Sequence, residues 1–263
     1  MTTDHAKIFA ALHAGPKLLV LPNAWDAGSA RIIEHAGAKA IATSSAAVAW
    51  AHGFSDGEFM PFDTLLATVR EIAKTVSIPV SADIEAAYAE DAASAATTVA
   101  RVMDAGAVGI NIEDGNGAPE LLARKIENLR KASGDLWINA RIDTYLRKLV
   151  EPGAAYDETV RRAKLYREAG ASSIFVPAFP DNDRIARLVK DVVLPLNLLA
   201  WSGLPDGGVL DSAGVRRLSA GSGLGKMVLG EALRLAQAFL ADGRSEPLLG
   251  GPLGNINAMM RTG

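Results

Sequence analysis

The sequence predicts one α/β domain with the (β/α)8 barrel (TIM barrel) fold, and three observations lead to that fold class. Short apolar runs alternate with longer helical patterns along the 263 residues. There are eight such runs, the number of strands in a closed parallel barrel of this type. The tripeptide Ala-Gly-Ala recurs at residues 36–38, 105–107 and 169–171, each time just ahead of an apolar run. Alternating β and α segments imply parallel strands joined by crossover helices.

The segments between the predicted strands carry helical patterns. Residues 90–105, for example, place Ala95, Val99, Val102 and Met103 on one face. The Gly of each Ala-Gly-Ala suits a left-handed helix C-cap before the next strand. A doubly wound open sheet is the rival fold, but no Gly-x-Gly-x-x-Gly follows the first strand. In chain order the predicted strands are Leu18–Pro22, Ala40–Ser45, Ile78–Glu85, Val108–Asp114, Trp137–Asp143, Ser173–Phe179, Leu194–Trp201 and Arg216–Gly221.

Composition narrows the class of protein. The net charge of −3 and the lack of a basic run speak against a nucleic-acid partner or an anionic membrane. No apolar stretch reaches the length of a membrane span, and the first residues are polar, unlike a signal peptide. The chain has no cysteine, which excludes disulfides, thiolate metal sites and a catalytic thiol. We therefore expect a soluble, cytoplasmic enzyme that acts on a small molecule.

Polar and apolar side chains alternate along the third, fourth and fifth predicted strands. Side chains two residues apart share a face of a strand. Because the apolar set must face the helices, the polar set is expected to point into the barrel. Barrel interiors are normally packed with branched apolar residues, and barrel active sites lie at the carboxyl ends of the strands. The inward set is Ser81, Asp83 and Glu85, then Asn111 and Glu113, then Asn139, Arg141 and Asp143.

This predicted interior holds more acid than base. Asp83, Glu85 and Glu113, joined by Asp56 from the loop after the second strand, outnumber Arg141. Buried carboxylates without partners are costly and tend to protonate. An internal salt-bridge network is the structural alternative, but it explains the sign of the charge poorly. A bound divalent cation would balance the charge, and an all-oxygen set favours Mg²⁺ or Mn²⁺ over Zn²⁺.

The arrangement resembles the isocitrate lyase/phosphoenolpyruvate mutase superfamily, and the resemblance covers nearly the whole chain. Each motif alone is weak, but their order and their positions on the strands are highly specific. The motifs are Pro22-Asn23-Ala24-Trp25-Asp26, Thr43-Ser44-Ser45-Ala46, Gly53-Phe54-Ser55-Asp56-Gly57-Glu58, Asp83-Ile84-Glu85, Asn111-Ile112-Glu113-Asp114 and Asn139-Ala140-Arg141.

The resemblance implies a set of site residues. Asp83 would contact Mg²⁺ directly, while Asp56, Glu85 and Glu113 would hold it largely through water. The substrate would be bound by the backbone around residues 44–46 and by Arg141, with Trp25 lining the pocket; the three backbone positions are Ser44, Ser45 and Ala46. We also place Asn197 among the substrate-binding candidates, since it is expected to face the interior. Arg141 and Glu113 are the catalytic candidates.

The resemblance also implies a chemistry. Members act on 2-oxo acids, on 2-hydroxy di- or tricarboxylates or on phosphono analogues, through a metal-stabilised enolate, and they commonly form tetramers that exchange the last helix. The C–C lyases carry a Lys-Lys/Arg-Cys-Gly-His loop after the fourth strand, and the phosphonate mutases carry a long gating loop there. Here residues 114–120 run almost directly into the next helix and contain neither Cys nor His. The fold and the metal site are expected to survive this departure, whereas the exact reaction is left open.

The favoured function is therefore a Mg²⁺-dependent C–C bond lyase or decarboxylase that acts on a 2-oxo or 2-hydroxy (di)carboxylate. Phosphonate P–C bond chemistry is the enzymatic alternative, and a catalytically weak 2-oxo acid binding protein is the alternative of another class. Arg141 has two competing roles, as a clamp for the substrate carboxylate or as a counter-ion for the acids. His52 is expected to be a solvated loop residue, and Tyr88 and Tyr145 are expected to be pocket walls rather than general acids.

The last prediction from the sequence concerns domains and assembly. Residues 1–263 are expected to form one barrel domain, with residues 243–263 as a C-terminal tail. The tail is rich in Gly but carries Leu253, Ile256, Met259 and Met260. A segment this short cannot form a core of its own, so these side chains should dock on another surface. A neighbouring subunit is the expected host, which predicts a homo-oligomer, either a dimer or a tetramer.

Overall fold

Nine parallel strands form one sheet that curves into a nearly closed barrel, with helices on its outside. The computed structural model describes residues 2–249, 251 and 254–261. The strands are β1 Leu19–Leu21, β2 Asn23–Ala24, β3 Ile41–Thr43, β4 Val80–Asp83, β5 Gly109–Glu113, β6 Trp137–Arg141, β7 Ser173–Val176, β8 Leu196–Leu199 and β9 Arg217–Ser219. The predicted fold class is confirmed.

The helices alternate with the strands, apart from α1 at the start, the two helices α3 and α4 between β3 and β4, and two short helices at the end. They are α1 Thr2–Ala14, α2 Ala27–His35, α3 Ser45–Ala51, α4 Phe62–Thr75, α5 Ala92–Asp104, α6 Pro119–Ala132, α7 Ala155–Ala169, α8 Ile185–Val192, α9 Gly207–Ser212, α10 Gly223–Asp242, α11 Glu246–Leu249 and α12 Ile256–Met259. Within the described ranges, none of these helices has the length and apolar character needed to cross a membrane.

The first predicted strand is divided at Pro22, and this division closes the barrel. Its first half, β1, pairs with β9, so that Leu19 lies opposite Arg217. Its second half, β2, pairs with β3, so that Asn23 lies opposite Ala42. Proline has no backbone N–H to donate to a neighbouring strand, so the ladder is interrupted where the chain passes from one neighbour to the other. The other seven predicted strands are present in shortened form.

The glycines of the Ala-Gly-Ala repeats have the predicted left-handed conformation. Gly37, Gly106 and Gly170 have φ angles of 98°, 110° and 104°. Each lies at the end of a helix, where a residue with a side chain would be strained. At Gly106 a Cβ atom would also lie 2.6 Å from the Cβ of Ala73. The repeat therefore marks the turn from a helix into the next strand.

Helix α5 illustrates how the helices cover the barrel. Asp91 caps its first turn by accepting hydrogen bonds from the backbone N–H groups of Ala93 and Ser94, both at 2.8 Å. Ala95 and Val99 are buried, as the sequence pattern predicts. They join a core between helices and strands to which the strands contribute their outward apolar side chains, including Ile84, Ile110, Ile112, Ile138 and Ile142.

Helix α1 lies across the amino-terminal end of the barrel. Phe9 packs against Gly109 so closely that a Cβ on this glycine would lie 2.8 Å from the ring. His13 stacks on Trp137, with ring centroids 4.2 Å apart, and both Phe9 and His13 are buried. The barrel therefore has a closed lower end, which leaves the carboxyl ends of the strands as the open end.

The outer surface near the chain end is unusually apolar. Only Gly225 is buried in the 20 residues of α10, while Met227 is 73% and Leu233 is 60% exposed. Val20, in the middle of β1, is 55% exposed although a strand of this kind is normally covered by a helix. In the tail, α12 lies against α2 of the same chain. Ile256 is exposed and Met259 and Met260 are half-buried, whereas Leu253 lies outside the described residues.

Candidate active site

A cavity of about 220 Å³ opens at the carboxyl ends of the strands. Six of the residues predicted for the site line it, namely Ser44, Ser45, Ala46, Asp56, Asp83 and Arg141. The rest of the lining comes from Asn23, Asn111, Leu146, Phe175, Pro177, Leu199, Ser219, Gly221 and Ser222. The cavity combines carboxylates, a guanidinium and neutral donors in a small space, as expected of a site for a small polar molecule.

Asp83 ends β4 and reaches the cavity from its floor. Its backbone N–H donates to the hydroxyl of Thr43 at 2.8 Å, which fixes the end of the strand. Among the described residues its carboxylate accepts only two hydrogen bonds, both long, from Glu85 N at 3.3 Å and Asn111 Nδ2 at 3.4 Å. Burial raises the pKa of Asp83, although the charge of Arg141 opposes this. The carboxylate therefore keeps free lone pairs in a place where its negative charge is costly.

Glu85 follows the end of β4 in a strained loop. The residues Glu58, Glu85, Ala87 and Tyr88 all have positive φ angles, from 48° to 77°, which is rare for residues with a Cβ. The Glu85 carboxylate accepts the backbone N–H of Glu58 at 3.0 and 3.1 Å. Burial raises the pKa of Glu85 to about 7. Strain of this kind persists only where the surroundings enforce it, and it is common at functional sites.

Lys125 holds the strained loop from below. This lysine of α6 is buried, and its ammonium group donates to the carbonyl oxygens of Ala86 at 2.7 Å and Ala89 at 2.6 Å. Within the loop, the Tyr88 hydroxyl donates to Glu85 Oε1 at 3.4 Å. The position of Glu85 is therefore set by helix α6 as well as by its own strand.

Glu113 and Asp143 share two arginines. Arg141 donates to Asp143 through Nε and Nη2, at 2.7 and 3.0 Å, and its Nη1 lies 2.6 Å from Glu113 Oε2. Arg147 bridges the same two acids, at 2.9 Å to Asp143 and 3.3 Å to Glu113. Burial raises the pKa of Glu113 to about 8, against the opposing charge of Arg141. Burial lowers the pKa of Arg141, but Glu113 and Asp143 outweigh it, so that the pKa is raised.

Asp114 connects the cluster of Glu113, Asp143 and the two arginines to a helix. Its Oδ1 accepts the backbone N–H of Asp143 at 3.0 Å, and its Oδ2 accepts hydrogen bonds from Arg162 at 2.8 Å and the Tyr166 hydroxyl at 2.6 Å. Both donors lie on α7. The loop after β5 is therefore anchored to a helix immediately before its short glycine turn.

A chain of neutral polar groups continues below the cavity. The Trp137 indole donates to Ser173, Ser173 donates to Asn139, and Asn139 donates to Asn111, at 2.7–2.9 Å. Asn111 donates in turn to Asp83. All of these amides and hydroxyls are buried. The inward direction predicted for Ser81, Asn111 and Asn139 from alternation agrees with their burial inside the barrel.

Four of the predicted site residues do not line the 220 Å³ cavity. Glu85 and Glu113 line a neighbouring cavity of about 330 Å³, together with Lys125 and Arg147. Two further candidates, Trp25 and Asn197, are absent from the described lining of the 220 Å³ cavity. Trp25 is half-buried against Gly225 of α10, and Asn197 lies deeper, where its Oδ1 accepts a hydrogen bond from Ser219 at 3.1 Å.

The helix that opens at the cavity is α3. Ser44 caps it by accepting the backbone N–H of Ala47 at 3.4 Å, and Ser45 and Ala46 form its first turn. First-turn N–H groups have no partner inside a helix and suit an anion. The motif residue Asp26 has a structural role instead, because it caps α2 through Ser29 at 2.6 Å.

The other candidates for proton transfer lie away from the cavity lining. His52 ends α3 on the surface, where its Nε2 is 2.9 Å from the Thr68 hydroxyl. Tyr145 packs edge-on against Phe179, with ring centroids 5.3 Å apart. His52 is exposed, as expected from the sequence, whereas Tyr145 is absent from the lining of the 220 Å³ cavity and is not the pocket wall that was expected.

The sequence pattern did not identify two arginines near the site. Arg147 belongs to the turn after β6, where no alternation pattern applies. Arg217 is the first residue of β9 and lies inside the barrel, below Asn111 and Ser219. Arg217 lies two residues before Ser219, and residues two apart share a face of a strand. Alternation could therefore have predicted that Arg217 points inward.

Comparisons with known proteins agree with this architecture. A family model described as phosphoenolpyruvate phosphomutase matches residues 9–240. The chain belongs to the phosphoenolpyruvate mutase/isocitrate lyase superfamily. An uncharacterized protein of Mycobacterium tuberculosis is 35% identical over 218 residues, 81% of either chain. A probable 2-methylisocitrate lyase of Corynebacterium glutamicum is 29% identical over 210 residues, 74% of this chain and 67% of the relative.

Solved structures of the superfamily have the same fold. A Burkholderia cenocepacia protein, provisionally described as a lyase/mutase, is 31% identical with a TM-score of 0.90, covering 99% of this chain and 97% of its own. A phosphonopyruvate hydrolase in complex with oxalate and Mg²⁺ is 24% identical with a TM-score of 0.86, covering 99% and 95%. At this identity the second likeness concerns the fold alone.

The carboxylates fit Mg²⁺, the metal expected for the superfamily, as a site with few direct protein ligands. Among residues 2–249, 251 and 254–261, no three His, Asp or Glu side chains are grouped closely enough to bind an ion together. A closed protein cage is therefore not formed. Asp83 with its free lone pairs fits a single direct ligand, and Mg²⁺ typically keeps several waters beside one or two carboxylates. The all-oxygen set and the raised pKa values of Asp83, Glu85 and Glu113 agree with a cation-binding site.

Proposed function

We propose that the protein is a Mg²⁺-dependent C–C bond lyase or decarboxylase for a small 2-oxo or 2-hydroxy (di)carboxylate, with Mn²⁺ as a possible substitute metal. The observation that carries the proposal is the 220 Å³ cavity, which unites Asp83 and Asp56 with Arg141 and the first turn of α3. One wall offers oxygen ligands for a cation, and the other offers donors for an anion. A substrate that chelates a metal with a carboxylate and a neighbouring oxygen would use both.

The chain's own residues in this cavity and in the neighbouring 330 Å³ cavity would have different roles. Asp83 would hold the cation directly, with Asp56, Glu85 and Glu113 acting largely through water. The backbone N–H groups of Ser45 and Ala46 would bind a substrate carboxylate. When bound, Mg²⁺ would supply positive charge beside the substrate's carboxylate and C2 oxygen, where negative charge develops during C–C cleavage.

Glu113 is the proposed carrier of a proton. Its pKa, raised to about 8 by burial, lies in the range where a carboxyl group can give and take a proton near neutral pH. Arg141 and Arg147 fix its orientation. The chain has no cysteine to serve as an acid. Decarboxylation needs only an electron sink followed by protonation from solvent, so the missing thiol favours a decarboxylase-like reaction.

Phosphonate P–C bond chemistry is the second candidate, and the matching family model and the structural relatives described as phosphonate enzymes support it. The short loop after β5 counts against it, because residues 114–118 leave the cavity without a long cover. A protein that binds a 2-oxo acid without turnover is the third candidate.

One experiment separates these candidates. Purified protein with Mg²⁺ would be incubated with oxaloacetate, 2-methylisocitrate, malate-type acids and phosphonopyruvate, and the products would be identified by NMR. The proposal expects release of a C–C cleavage product and its loss in Asp83→Asn. Phosphate release from phosphonopyruvate would favour the second candidate. Heat protection by these acids without any product would favour the third.

We further propose that the protein is a homo-oligomer, a dimer or tetramer, whose contacts include α10. The exposed apolar side chains of this helix and the uncovered Val20 support the idea, because monomers rarely leave so large an apolar surface in water. In the tail, α12 contacts α2 of its own chain and Ile256 is exposed, so the docking of the tail on a neighbouring subunit stays a proposal.

A further inference from the structure

Arg217 is a buried cation whose hydrogen-bond partners among the described residues are neutral. Its side chain is 1% exposed and is the largest fully buried side chain in the described part of the molecule. Nε donates to Ser219 Oγ at 3.0 Å and Nη2 donates to Asn111 Oδ1 at 3.4 Å, while Nη1 has no partner among the described residues. Burial lowers the pKa of Arg217 to about 10, so the group still keeps its charge at neutral pH. Charged groups are almost never buried in this way unless they are paired.

Both partners of Arg217 belong to the floor of the 220 Å³ cavity. Asn111 and Ser219 line the cavity, whereas Arg217 does not. The guanidinium therefore lies one layer below the floor, on the opposite side from a ligand. Any anion in the cavity would be separated from this charge by two small polar side chains, and charges interact strongly across a buried, low-dielectric layer.

The two hydrogen bonds determine how the floor is oriented. Asn111 Oδ1 accepts hydrogen bonds from Arg217 and, at 2.8 Å, from Asn139 Nδ2. Its own Nδ2 is consequently turned towards Asp83, at 3.4 Å. Ser219 accepts from Arg217 and donates to Asn197 at 3.1 Å.

The fold gains little from this arginine. Without it, Asn111 Oδ1 would still accept from Asn139, and Ser219 would still donate to Asn197. His13, which closes the barrel below, offers no counter-charge, because burial lowers its pKa to about 3. The charge of Asp83 raises the pKa of Arg217, but Asn111 lies between the two groups and Arg217 forms no salt bridge with any described residue. A buried charge without a direct ion partner costs stability, and its replacement by an apolar side chain of similar volume is often neutral or stabilising. Such a cost in the barrel interior indicates a role in function rather than in folding.

We propose that Arg217 is a positioning residue for anion binding, which attracts a carboxylate ligand from beneath the cavity floor and fixes the orientation of Asn111 and Ser219 in that floor. This inference rests on the proposed function, since it requires a carboxylate ligand in the 220 Å³ cavity. Preorganised charge of this kind acts strongly in a site from which water is excluded.

The test compares binding with stability in the same variants. Isothermal titration calorimetry would measure oxalate binding at saturating Mg²⁺ for the wild type, Arg217→Met, Arg217→Lys and the control Arg216→Met. Arg216 is the neighbouring residue, partly exposed and 3.6 Å from Asp211. We expect Arg217→Met to bind oxalate more weakly by on the order of ten-fold, with a Tm equal to or above the wild-type value. Arg217→Lys should fall between the two, and Arg216→Met should bind as the wild type does.

The opposite pattern would overturn the inference. A purely structural role predicts a lower Tm for Arg217→Met with unchanged oxalate affinity. If that variant does not fold, Arg217→Gln, which keeps an amide donor without the charge, takes its place and should also bind oxalate more weakly. Failure of both variants to fold would show that folding depends on the guanidinium and would refute the inference. Wild-type protein that does not bind oxalate would refute the proposed function and this inference together, whereas equal binding by the wild type and Arg217→Met refutes the inference alone.

Discussion

Arg141 binds Asp143 with two parallel hydrogen bonds, and this pairing occupies the planar edge that a guanidinium would otherwise offer to a carboxylate ligand. Its remaining end contacts Glu113 at 2.6 Å. Of the two roles considered for Arg141, the geometry favours the counter-ion. A ligand in the cavity can still accept hydrogen bonds from the N–H groups of the terminal nitrogens. It cannot accept the two parallel hydrogen bonds that Asp143 already accepts.

Replacement of Arg141 should therefore destabilise the fold. In Arg141→Ala the buried Asp143 carboxylate keeps only Arg147 as a cationic partner among the described residues, and removal of one partner of a buried ion pair costs about 3 kcal/mol or more. Urea unfolding would measure the loss. Arg161→Ala is the control, since Arg161 forms an exposed pair with Glu158 that is worth about 1 kcal/mol at most. Wild-type stability of Arg141→Ala would exclude the counter-ion role. Dicarboxylates that protect Arg141→Lys against heat as well as they protect the wild type would exclude the clamp.

Metal binding should depend on Asp83 above all. Mg²⁺ is expected to raise the Tm of the wild type, and EDTA should reverse the rise. Asp83→Ala should lose the effect because it removes the proposed direct ligand. Asp63→Ala, a change of an exposed carboxylate that pairs with Arg101, should respond to Mg²⁺ as the wild type does. Wild-type Mg²⁺ affinity in Asp83→Ala would mean that the ion is bound elsewhere.

The metal-free protein should become less stable as the pH rises. The folded-state pKa values of Glu85 and Glu113 are about 7 and about 8, above the ordinary value of 4.5. A raised folded pKa contributes stability that is complete below pH 4.5 and is lost as the pH rises through about 8. Unfolding in EDTA between pH 4.5 and 9 would measure this slope.

Two variants test whether Glu113 causes this pH dependence of stability. Glu113→Gln should flatten it. Glu158→Gln should leave it unchanged, because the pKa of Glu158 is lowered to about 2, mainly by the hydrogen bond from Arg161, and lies outside this range. Stability that increases between pH 4.5 and 8 in EDTA would contradict the prediction. Mg²⁺ affinity should increase with pH over the same interval, because the ion displaces protons from its ligands.

The oligomer should depend on α10. Light scattering of the wild type at micromolar concentration is expected to give a dimer or a tetramer. The double change Met227→Glu and Leu233→Glu places two charges on the exposed apolar surface of α10 and should shift the protein to monomers. Val209→Glu, at an exposed position on α9, is the matched control and should leave the mass unchanged. A monomeric wild type would contradict the prediction.

The alternation of polar and apolar residues predicted the strands well because it follows directly from strand geometry. It placed Asp83, Asn111 and Asn139 inside the barrel, where they are buried. The rule stops where the strand stops. β4 ends at Asp83, and Glu85 lies beyond it with a φ of 52°, so its direction is set by a loop conformation that a period of two cannot describe.

Long-range contacts were also beyond the reach of the sequence. The sequence shows Lys125 as one charge on a helix, whereas the fold buries it under the loop of Ala86 and Ala89. Arg147 shares the acids of Arg141 only because the turn after β6 folds back over β5. Such partners depend on tertiary structure rather than on local pattern.

The pairing of β1 with β9 sets the order in which the barrel can be completed. Leu19 pairs with Arg217, so β1, near the start of the chain, can form its ladder only after β9, near the end, has been synthesised. During synthesis strands β2 to β8 can associate as neighbours, but the ring cannot close until β9 has left the ribosome. Until then β1 presents an unpaired edge, with Val20 exposed on its outer face. A chain cut short before β9 would keep that edge open, and it should aggregate by strand pairing with other copies.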